Sequence, residues 1–165
     1  MERTGWKETD RGNALHLRSV CQTDMDILFA WANDDLVRKN AFHTEKIPYE
    51  NHVKWFAKML ADESVYQYIL CEGECPVGQI RLDTENGDAV IDYSICAAKR
   101  GNGYGSRLLD LIQEQVIFDK IPGVSKLIGQ VKYENTASAR AFERCGFTRT
   151  EKPDYIQFEL EVSKT

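Results

Sequence analysis

Three consecutive segments with the pattern of β-strands constrain this chain more than any other feature of its sequence. They read VYQYILCE, CPVGQIRLD and AVIDYSICA between residues 65 and 97, and only GE and TENGD separate them. The step from Asn86 to Gly87 favours a two-residue hairpin turn, because both residues tolerate positive φ. Strands joined so closely pair with each other, so the centre of the chain is predicted to be an antiparallel meander.

One strand and two helices are predicted before the meander. Residues 14–20, ALHLRSV, alternate apolar and polar side chains as a half-buried strand does. Thr23 and Asp26 match a capping box at the start of the first helix. Pro48 suits the first turn of the second helix, whose apolar stripe is predicted to be Val53, Phe56, Ala57 and Leu60. The residues between the two helices, 34–47, are predicted to be irregular.

Helices and strands alternate after the meander. A helix is predicted at 105–119, where apolar residues recur at helical spacing: Leu108, Leu109, Ile112 and Val116. A strand at 125–132, a helix at 135–145 with Gly146 as its C-cap and a strand at 154–162 complete the chain. The order β-α-α-β-β-β-α-β-α-β predicts an α/β fold of the α+β kind, with a mixed, mostly antiparallel sheet and one parallel crossover.

The composition fits one globular domain. The chain has 165 residues, of which 42% are hydrophobic and 28% charged, and no apolar run approaches the ~20 residues that span a bilayer. The first 13 residues are polar and lack the apolar core of a secretory signal. We therefore expect a flexible arm over residues 1–13, one domain over residues 14–165, a cytoplasmic location and no membrane partner. The net charge of -5 disfavours nucleic-acid binding.

The cysteines do not indicate disulfides or a metal site. Their number is odd, and most lie inside apolar patterns, where a reduced thiol packs as a small hydrophobe: Cys21, Cys71, Cys75, Cys96 and Cys145. No second Cys or His pair at zinc spacing accompanies the two central cysteines. Buried thiols and no bound metal are therefore expected.

A glycine cluster lies between the meander and the next helix, in the sequence AAKRGNGYGSRLLDLI at 97–112. The first turn of a helix has unpaired N–H groups and the positive end of the helix dipole, and glycines leave those donors accessible to an anion. Lys99, Arg100 and Arg107 add positive charge, and Ser106 adds a hydroxyl donor. The spacing matches neither G-x-x-x-x-G-K-S/T nor G-x-G-x-x-G. A pyrophosphate site and a flexible turn are the two interpretations that the residues leave open.

Two motifs, RGNGYG at 100–105 and NTASARAFERCGF at 135–147, resemble those of the GNAT superfamily of N-acetyltransferases. Arg100, Gly103 and Gly105 match the family's pyrophosphate loop for coenzyme A, Q/R-x-x-G-x-G/A. The segment NTASARAFERCGF matches the pattern N-x-x-A/S-x-x-x-Y/F-x-x-x-G-F at Asn135, Ser138, Phe142, Gly146 and Phe147. The order of elements from about residue 14 to residue 162 also agrees. The resemblance implies a sheet with helices on both faces and a V-shaped opening for acetyl-coenzyme A between the strands at 89–97 and 125–132.

The resemblance also implies which residues hold acetyl-coenzyme A. Its pantetheine arm is expected to pair with the backbone of the strand at 89–97, as an added strand would. The expected contacts are Ile95, Cys96, Ala97, Arg100, Gly101, Asn102, Gly103, Tyr104, Gly105, Ser106, Asn135, Ala139 and Phe142. A backbone N–H near Ile95 is expected to donate to the oxyanion that develops during transfer.

The catalytic base stays open between Asp92 and His43, with Glu45 as a further candidate. Histidine has an ordinary pKa of about 6.5, which suits proton removal near neutrality. The structural alternative is a hydrogen-bonded or salt-bridged strand residue for Asp92 and a solvated loop residue for His43. Phe142 stands where many family members have a tyrosine as general acid, and a phenyl ring cannot donate a proton. The acid is therefore unassigned, with Tyr133 or water as substitutes, and a thiol with a pKa near ~8.5 also leaves tolerably as an anion.

Residues 31–56 resemble a stretch of bacterial amino-sugar N-acetyltransferases, W-x-N-D/H-x-x-V-R … I … E-x-H-x-x-W-F/I. The matching residues are Trp31, Asn33, Asp34, Val37, Arg38, Ile47, Glu50, His52, Trp55 and Phe56. Arg38 could pair with a diphosphate, and Phe42 or Trp55 could stack on a ring. Alternatively the aromatic residues are core and Arg38 holds Asp34 or Asp35. The expected acceptor contacts are Asn33, Arg38, Phe42, His52 and Arg81.

These observations predict acetyl transfer to the primary amine of a small molecule, and the resemblance favours an amino sugar carried on a nucleotide. A protein N-terminal or polyamine acetyltransferase is one alternative. A sensor that binds acyl-coenzyme A without turnover is another. The sequence is compatible with a homodimer and does not determine the oligomeric state.

Overall fold

The alternating segments form strands of one seven-stranded sheet in the computed structural model, which describes residues 14–118 and 121–162. The strands are β1 (Leu15–Ser19), β2 (Val65–Glu72), β3 (Cys75–Glu85), β4 (Asp88–Ile95), β5 (Lys126–Val131), β6 (Thr148–Glu151) and β7 (Ile156–Glu161). The helices are α1 (Met25–Ala32), α2 (Asp35–Asn40), α3 (Tyr49–Ala61), α4 (Tyr104–Ile117) and α5 (Thr136–Arg144). The predicted arm, residues 1–13, lies outside the described residues.

The sheet has the order β1-β2-β3-β4-β5-β7-β6. Only the pair β4 and β5 is parallel, and α4 is the crossover that joins these two strands. Asn86 and Gly87 have φ of 53° and 89°, as a two-residue hairpin turn requires. The predicted central meander is therefore confirmed.

Apolar side chains cover both faces of the sheet. On one face, α4 and α5 bury Leu108, Ile112 and Phe142 in a cluster with residues of the sheet such as Leu82 and Leu127. On the other face, α1 and α3 place Leu28, Phe56 and Met59 against Ile69 and Cys71 of β2. The predicted mixed sheet with helices on both faces is confirmed.

The gap between β4 and β5 results from an incomplete pairing of the two strands. Asp88–Ile91 pairs with Lys126–Gly129, but beyond this point β4 pairs only with β3 and β5 only with β7. Gly129 lies where the strands separate, and a Cβ there would overlap the Phe142 ring. The two strands therefore diverge at their C-terminal ends and form the predicted V-shaped opening.

Residues 35–40 form α2, although the sequence predicted an irregular segment. Asp34 is the N-cap, and its Oδ2 accepts hydrogen bonds from the N–H groups of Leu36 at 3.1 Å and Val37 at 3.2 Å. No residue of α2 is buried, so the helix has no apolar stripe that periodicity could reveal. The sequence features that could have predicted α2 are the N-cap Asp34, the acidic Asp35 in the first turn and the basic Arg38 and Lys39 in the last turn.

The predicted capping box at Thr23 and Asp26 is wrong. A short 3-10 turn, Gln22–Asp24, precedes α1, and the Asp24 carboxylate accepts from the N–H of Cys21 at 2.8 Å. Arg18 of β1 binds the same carboxylate at 2.8 and 2.9 Å. This contact from outside the helix fixes Asp24, and with it the start of the turn.

Three smaller expectations also differ from the structure. The buried residues of α3 are His52, Phe56 and Met59, whereas Ala57 and Leu60 of the predicted stripe are exposed. Strand β6 was not predicted, because all of its residues are exposed and show no alternation. Of the cysteines, Cys71 is buried, Cys96 and Cys145 are half-buried, and Cys21 and Cys75 are exposed at the ends of elements, so the expectation of mainly buried thiols is wrong.

Candidate active site

A cavity of about 1010 Å³ passes through the gap between β4 and β5. Helices α1, α2 and α3 form one end of its wall, and strands β2 to β5 form the middle. The first turn of α4 and one side of α5 form the other end. The predicted site residues in this wall are Arg38, His52, Arg81, Asp92, Ile95, Arg100, Gly101, Gly103, Tyr104, Gly105, Ser106, Asn135 and Phe142. Those outside it are Asn33, Phe42, His43, Cys96, Ala97, Asn102 and Ala139.

The loop before α4 presents bare backbone to the cavity. Gly101 and Gly103 have φ of +83° and +80°, and a Cβ at either position would have no heavy atom within 4 Å. Gly103 is the N-cap of α4, so the N–H groups of the next residues have no partner inside the helix. An anion can therefore approach these donors without meeting a side chain.

Two of the predicted loop cations are held in ion pairs. Lys99 Nζ lies 2.9 Å from Glu72 Oε1, and Tyr104 Oη donates to Glu72 Oε2 at 2.7 Å. These two hydrogen bonds hold the pKa of Glu72 below its ordinary value, and the one from Lys99 has the larger effect. Arg100 Nη2 donates to Asp34 Oδ2 at 2.6 Å, and its Nε donates to the Ile95 carbonyl at 3.1 Å. Arg100 therefore joins the end of β4 to the start of α2.

The first turn of α4 is connected to the last residue of α5. Arg144 Nη1 donates to Ser106 Oγ at 3.1 Å, which places a further cation beside the glycine loop. Asn135 caps α5 by accepting from the N–H of Ser138 at 3.2 Å, and its side chain lies in the cavity wall. The side-chain amide of Asn102 donates to the Lys99 carbonyl at 3.0 Å, so this side chain closes the loop on itself.

The edge of β4 that faces the gap is free of strand pairing over Asp92–Ile95 within the described part of the chain. An extended ligand could pair with this edge. At Cys96 the N–H donates to the Val77 carbonyl at 2.8 Å and the carbonyl accepts from Lys99 N at 3.0 Å. The N–H of Cys96 is therefore not available to a ligand at this edge.

Phe142 lies inside an aromatic cluster. Its ring stacks on Phe158 with centroids 5.1 Å apart and meets Phe147 and Tyr93 edge-on at 4.9 and 5.8 Å. Tyr93 Oη and Ser138 Oγ are 2.9 Å apart, which links β4 to α5 across the gap. Tyr133, the substitute acid considered above, donates to the Lys152 carbonyl at 2.5 Å and lies outside the cavity wall.

Of the three base candidates, Asp92 lies in the cavity wall. His43 and Glu45 are exposed and lie outside it. Gln79 Nε2 donates to Asp92 Oδ2 at 3.2 Å, and Arg81 Nη1 lies 3.9 Å from the same oxygen. The Asp92 side chain is 58% exposed, so a ligand in the cavity can reach it.

Three of the predicted acceptor contacts also hold local structure, and of these only Arg38 lines the cavity. Arg38 donates from Nε to the Ala32 carbonyl at 2.8 Å and from Nη1 to the His43 and Glu45 carbonyls at 2.9 and 3.1 Å. Asn33 bonds both backbone groups of Ile47, and Phe42 packs edge-on against Tyr155 with centroids 5.8 Å apart. Together they fix the segment that follows α2.

The structure contradicts one alternative on this side and places two further residues of the 31–56 stretch. The alternative pairing of Arg38 with an aspartate is wrong, because Asp34 pairs with Arg100 and Asp35 with Lys46 at 2.9 Å. His52 is buried, with Nε2 2.8 Å from the Met25 carbonyl. Trp55 is 36% exposed, and the guanidinium carbon of Arg81 lies 5.5 Å from its ring centroid.

Gln67 and Gln79 are cavity residues that the sequence analysis missed. Both are buried, and each directly precedes or follows apolar residues of its strand. A glutamine at an inward position of a strand was the signal that could have found them, since a buried amide requires hydrogen-bond partners.

A family model described as an acetyltransferase (GNAT) domain matches residues 14–148. The chain therefore belongs to the GNAT family of acetyltransferases. Membership confirms the predicted family and the predicted enzyme class, N-acetyltransferase, with acetyl-coenzyme A as the acetyl donor. The glycine loop and the unpaired edge of β4 are structural features that fit such a donor.

Solved structures share this fold at low sequence identity. Spermidine N-acetyltransferase from Vibrio cholerae, in complex with CoA and spermine, superposes with a TM-score of 0.81 at 16% identity over 91% of this chain and 96% of that chain. AAC(6')-Ib in complex with ribostamycin and coenzyme A gives 0.78 at 22% identity over 90% and 94%. A domain from Methanocaldococcus jannaschii gives 0.77 at 22% identity over 90% and 99%.

A search of curated proteins finds no match. None of the helices in the described ranges is long and apolar enough to cross a membrane. Residues 14–118 and 121–162 also contain no group of three or more His, Cys, Asp or Glu side chains that could hold a metal ion.

Proposed function

We propose that this protein transfers the acetyl group of acetyl-coenzyme A to the primary amine of a small acceptor, with Asp92 as the base. The observation that carries the proposal is that one cavity connects the bare amides of α4 with the Asp92 carboxylate through the gap between β4 and β5. The donor and the acceptor can therefore enter from opposite ends and meet in the gap.

The donor end of the cavity is polar and positive. The first-turn amides of α4, with Ser106 and Arg144 beside them, would take the pyrophosphate. The unpaired edge over Asp92–Ile95 would take the pantetheine amides, and Asn135 would bind them from the other arm of the gap. Acetyl-coenzyme A supplies an activated acyl group as a thioester.

Asp92 is the only carboxylate among the described residues that line the cavity. An amine that arrives protonated must lose a proton before its nitrogen can attack, and a carboxylate within hydrogen-bond reach, directly or through one water, can take it. The amine nitrogen then bonds to the acetyl carbon, the bond from that carbon to sulfur breaks, and sulfur leaves as the thiolate. The second proton of the nitrogen passes to that thiolate or to water, which leaves the neutral amide. Holding the two reactants together can supply roughly 7–11 kcal/mol of the barrier reduction.

We propose an amino sugar carried on a nucleotide as the acceptor. The match over residues 31–56 supports this choice, and so does the exposed Trp55 ring, on which a sugar or base could pack. Spermidine and aminoglycosides, on which the similar solved proteins act or which they bind, carry several positive charges. Such a polycation would gain little from a wall that offers one carboxylate, with Arg81 beside it.

The test is release of free thiol from acetyl-coenzyme A against a panel of acceptors. The panel contains a UDP-4-amino sugar, spermidine, an aminoglycoside and a peptide with a free N-terminus. We expect release with the amino-sugar nucleotide and at least tenfold less with the other acceptors. Release with spermidine or the peptide would keep the reaction and overturn the acceptor, whereas tight donor binding without release from any acceptor would indicate a sensor.

A further inference from the structure

Two glutamine side chains are buried on the sheet face that leads to Asp92. Gln67 of β2 is 5% exposed, and Gln79 of β3 is 8% exposed. Leaving a buried amide without partners is unfavourable, and apolar side chains at both positions would avoid that cost. The donor loop and the apolar core do not account for these two amides.

Hydrogen bonds fix the orientation of both amides. Gln67 Nε2 lies 3.3 Å from the Ile80 carbonyl oxygen, which can only accept, and 2.7 Å from Gln79 Oε1. The oxygen of Gln79 is therefore directed towards Gln67, and its Nε2 is directed towards β4. There it donates to Asp92 Oδ2 and to Ser94 Oγ, each at 3.2 Å.

The opposite orientation of Gln79 would be unfavourable at both ends. It would place the amide oxygen against the Asp92 carboxylate and the amide nitrogen against the donor Nε2 of Gln67. The hydrogen bonds from the Ile80 carbonyl to Gln67 and from Gln67 to Gln79 thus direct the Gln79 N–H towards Asp92 Oδ2. Gln79 donates to no other carboxylate among the described residues. Oδ1 of Asp92 accepts no hydrogen bond from the described residues, so it stays available to a ligand in the cavity.

We propose that Gln79, oriented by Gln67, is a positioning residue for Asp92. It holds Oδ2 so that Oδ1 is directed at the acceptor amine, and it acts on the rate of transfer without binding either substrate. This inference rests on the proposed function, in which Asp92 is the base. It extends that function from one carboxylate to a series of side chains that crosses three strands.

The test compares Gln79→Met with the wild type in steady-state kinetics for both substrates. Methionine keeps the length of the side chain and removes its hydrogen bonds. We expect kcat to fall about tenfold or more while both KM values stay within about threefold. Gln157→Met, on β7 outside the cavity wall, is the control for losing a strand glutamine.

Asp92→Asn separates the failure of the inference from the failure of the proposed base. An inactive Asp92→Asn with a fully active Gln79→Met would overturn only the positioning role, whereas a fully active Asp92→Asn would overturn both. A change confined to the KM of the acceptor would make Gln79 a binding residue and would also overturn the inference. If Gln79→Met does not fold, Gln67→Met takes its place, with an expected fall in kcat of about threefold and unchanged KM values.

Discussion

Gly103 has a positive φ of +80°, and a Cβ built at this position would have no heavy atom within 4 Å. A side chain there would strain the backbone and would also occupy the space in front of the α4 amides. Both effects weaken binding of a pyrophosphate, but only the second is specific to this loop.

We expect Gly103→Val to weaken coenzyme A binding at least tenfold, as measured by titration calorimetry. Gly73→Val is the matched control, because Gly73 also has positive φ, +61°, and open space at its Cβ, and it does not line the cavity. An equal loss of affinity in both variants would attribute the effect to backbone strain and contradict the assignment of the loop.

Tyr93 gives the fold a pH-dependent contribution. Its ring packs near Phe142 and Gly105, and burial raises the pKa of Tyr93 to about 12. In the unfolded chain a tyrosine ionises near ~10, so the folded form binds the proton more tightly. The contribution is complete below about pH 10 and is lost as the pH rises from about 10 to about 12.

We therefore expect the free energy of unfolding of the wild type to fall more steeply than that of Tyr93→Phe between about pH 9 and about pH 11. Urea unfolding at several pH values measures the difference. Cys145, whose pKa burial raises to about 12, is present in both proteins and cancels in the comparison. Parallel pH profiles would show that the phenol does not lose contact with water on folding.

At the scale of elements, α2 lies across the gap and is held at both ends. Asp34 caps its start and pairs with Arg100 beside one arm of the gap. Lys132 follows β5, the other arm of the gap. Its Nζ donates to the Lys39 carbonyl at the end of α2, at 3.0 Å. Because no residue of α2 is buried, these polar contacts, and not apolar packing, hold the helix in place.

Asp34→Ala removes both the cap and the partner of Arg100. We expect a loss of about 0.5–2 kcal/mol in stability, a KM for the acceptor raised about threefold or more, and little change in coenzyme A affinity. Asp35→Ala removes an ion pair whose carboxylate is 97% exposed and is expected to change neither quantity. If the two variants behaved alike, the contact between Asp34 and Arg100 would have no role in the acceptor site.

The sequence predicted most of the strands and the long helices well, because the spacing of their apolar residues reflects burial on one face. It missed α2 and β6, whose residues are mostly in contact with water and leave no periodic pattern. It also predicted the capping box at Thr23 wrongly, because the local sequence does not show that Arg18 binds the Asp24 carboxylate. Short and exposed elements were therefore predicted less well than buried ones.

At the scale of the whole molecule, the donor site is shared between β4, α4 and α5, which the gap keeps apart. A ligand that binds all three elements is expected to stabilise the folded chain by mass action. At one hundred times its Kd, acetyl-coenzyme A should add about 2.7 kcal/mol to the free energy of unfolding. For a chain of this size that corresponds to a rise in Tm of about 5–10 °C.

A thermal shift series checks this expectation, with adenosine diphosphate as a partial ligand that has the pyrophosphate and lacks the pantetheine arm. We expect the smaller ligand to give a smaller rise at the same concentration. An unchanged Tm at saturating acetyl-coenzyme A would contradict the location of the donor site.

The sequence by itself determined the meander, the glycine loop before α4 and the family, because periodicity, turn chemistry and loop spacing are properties of neighbouring residues. The tertiary structure decided which candidates reach the cavity. It placed Asp92 in the wall and His43 outside it, engaged Arg38 and Cys96 in local hydrogen bonds, and brought Gln67 and Gln79 into line with Asp92 from separate strands. Such contacts depend on strand register and on how far β4 and β5 pair, and both are set only when distant segments pack together.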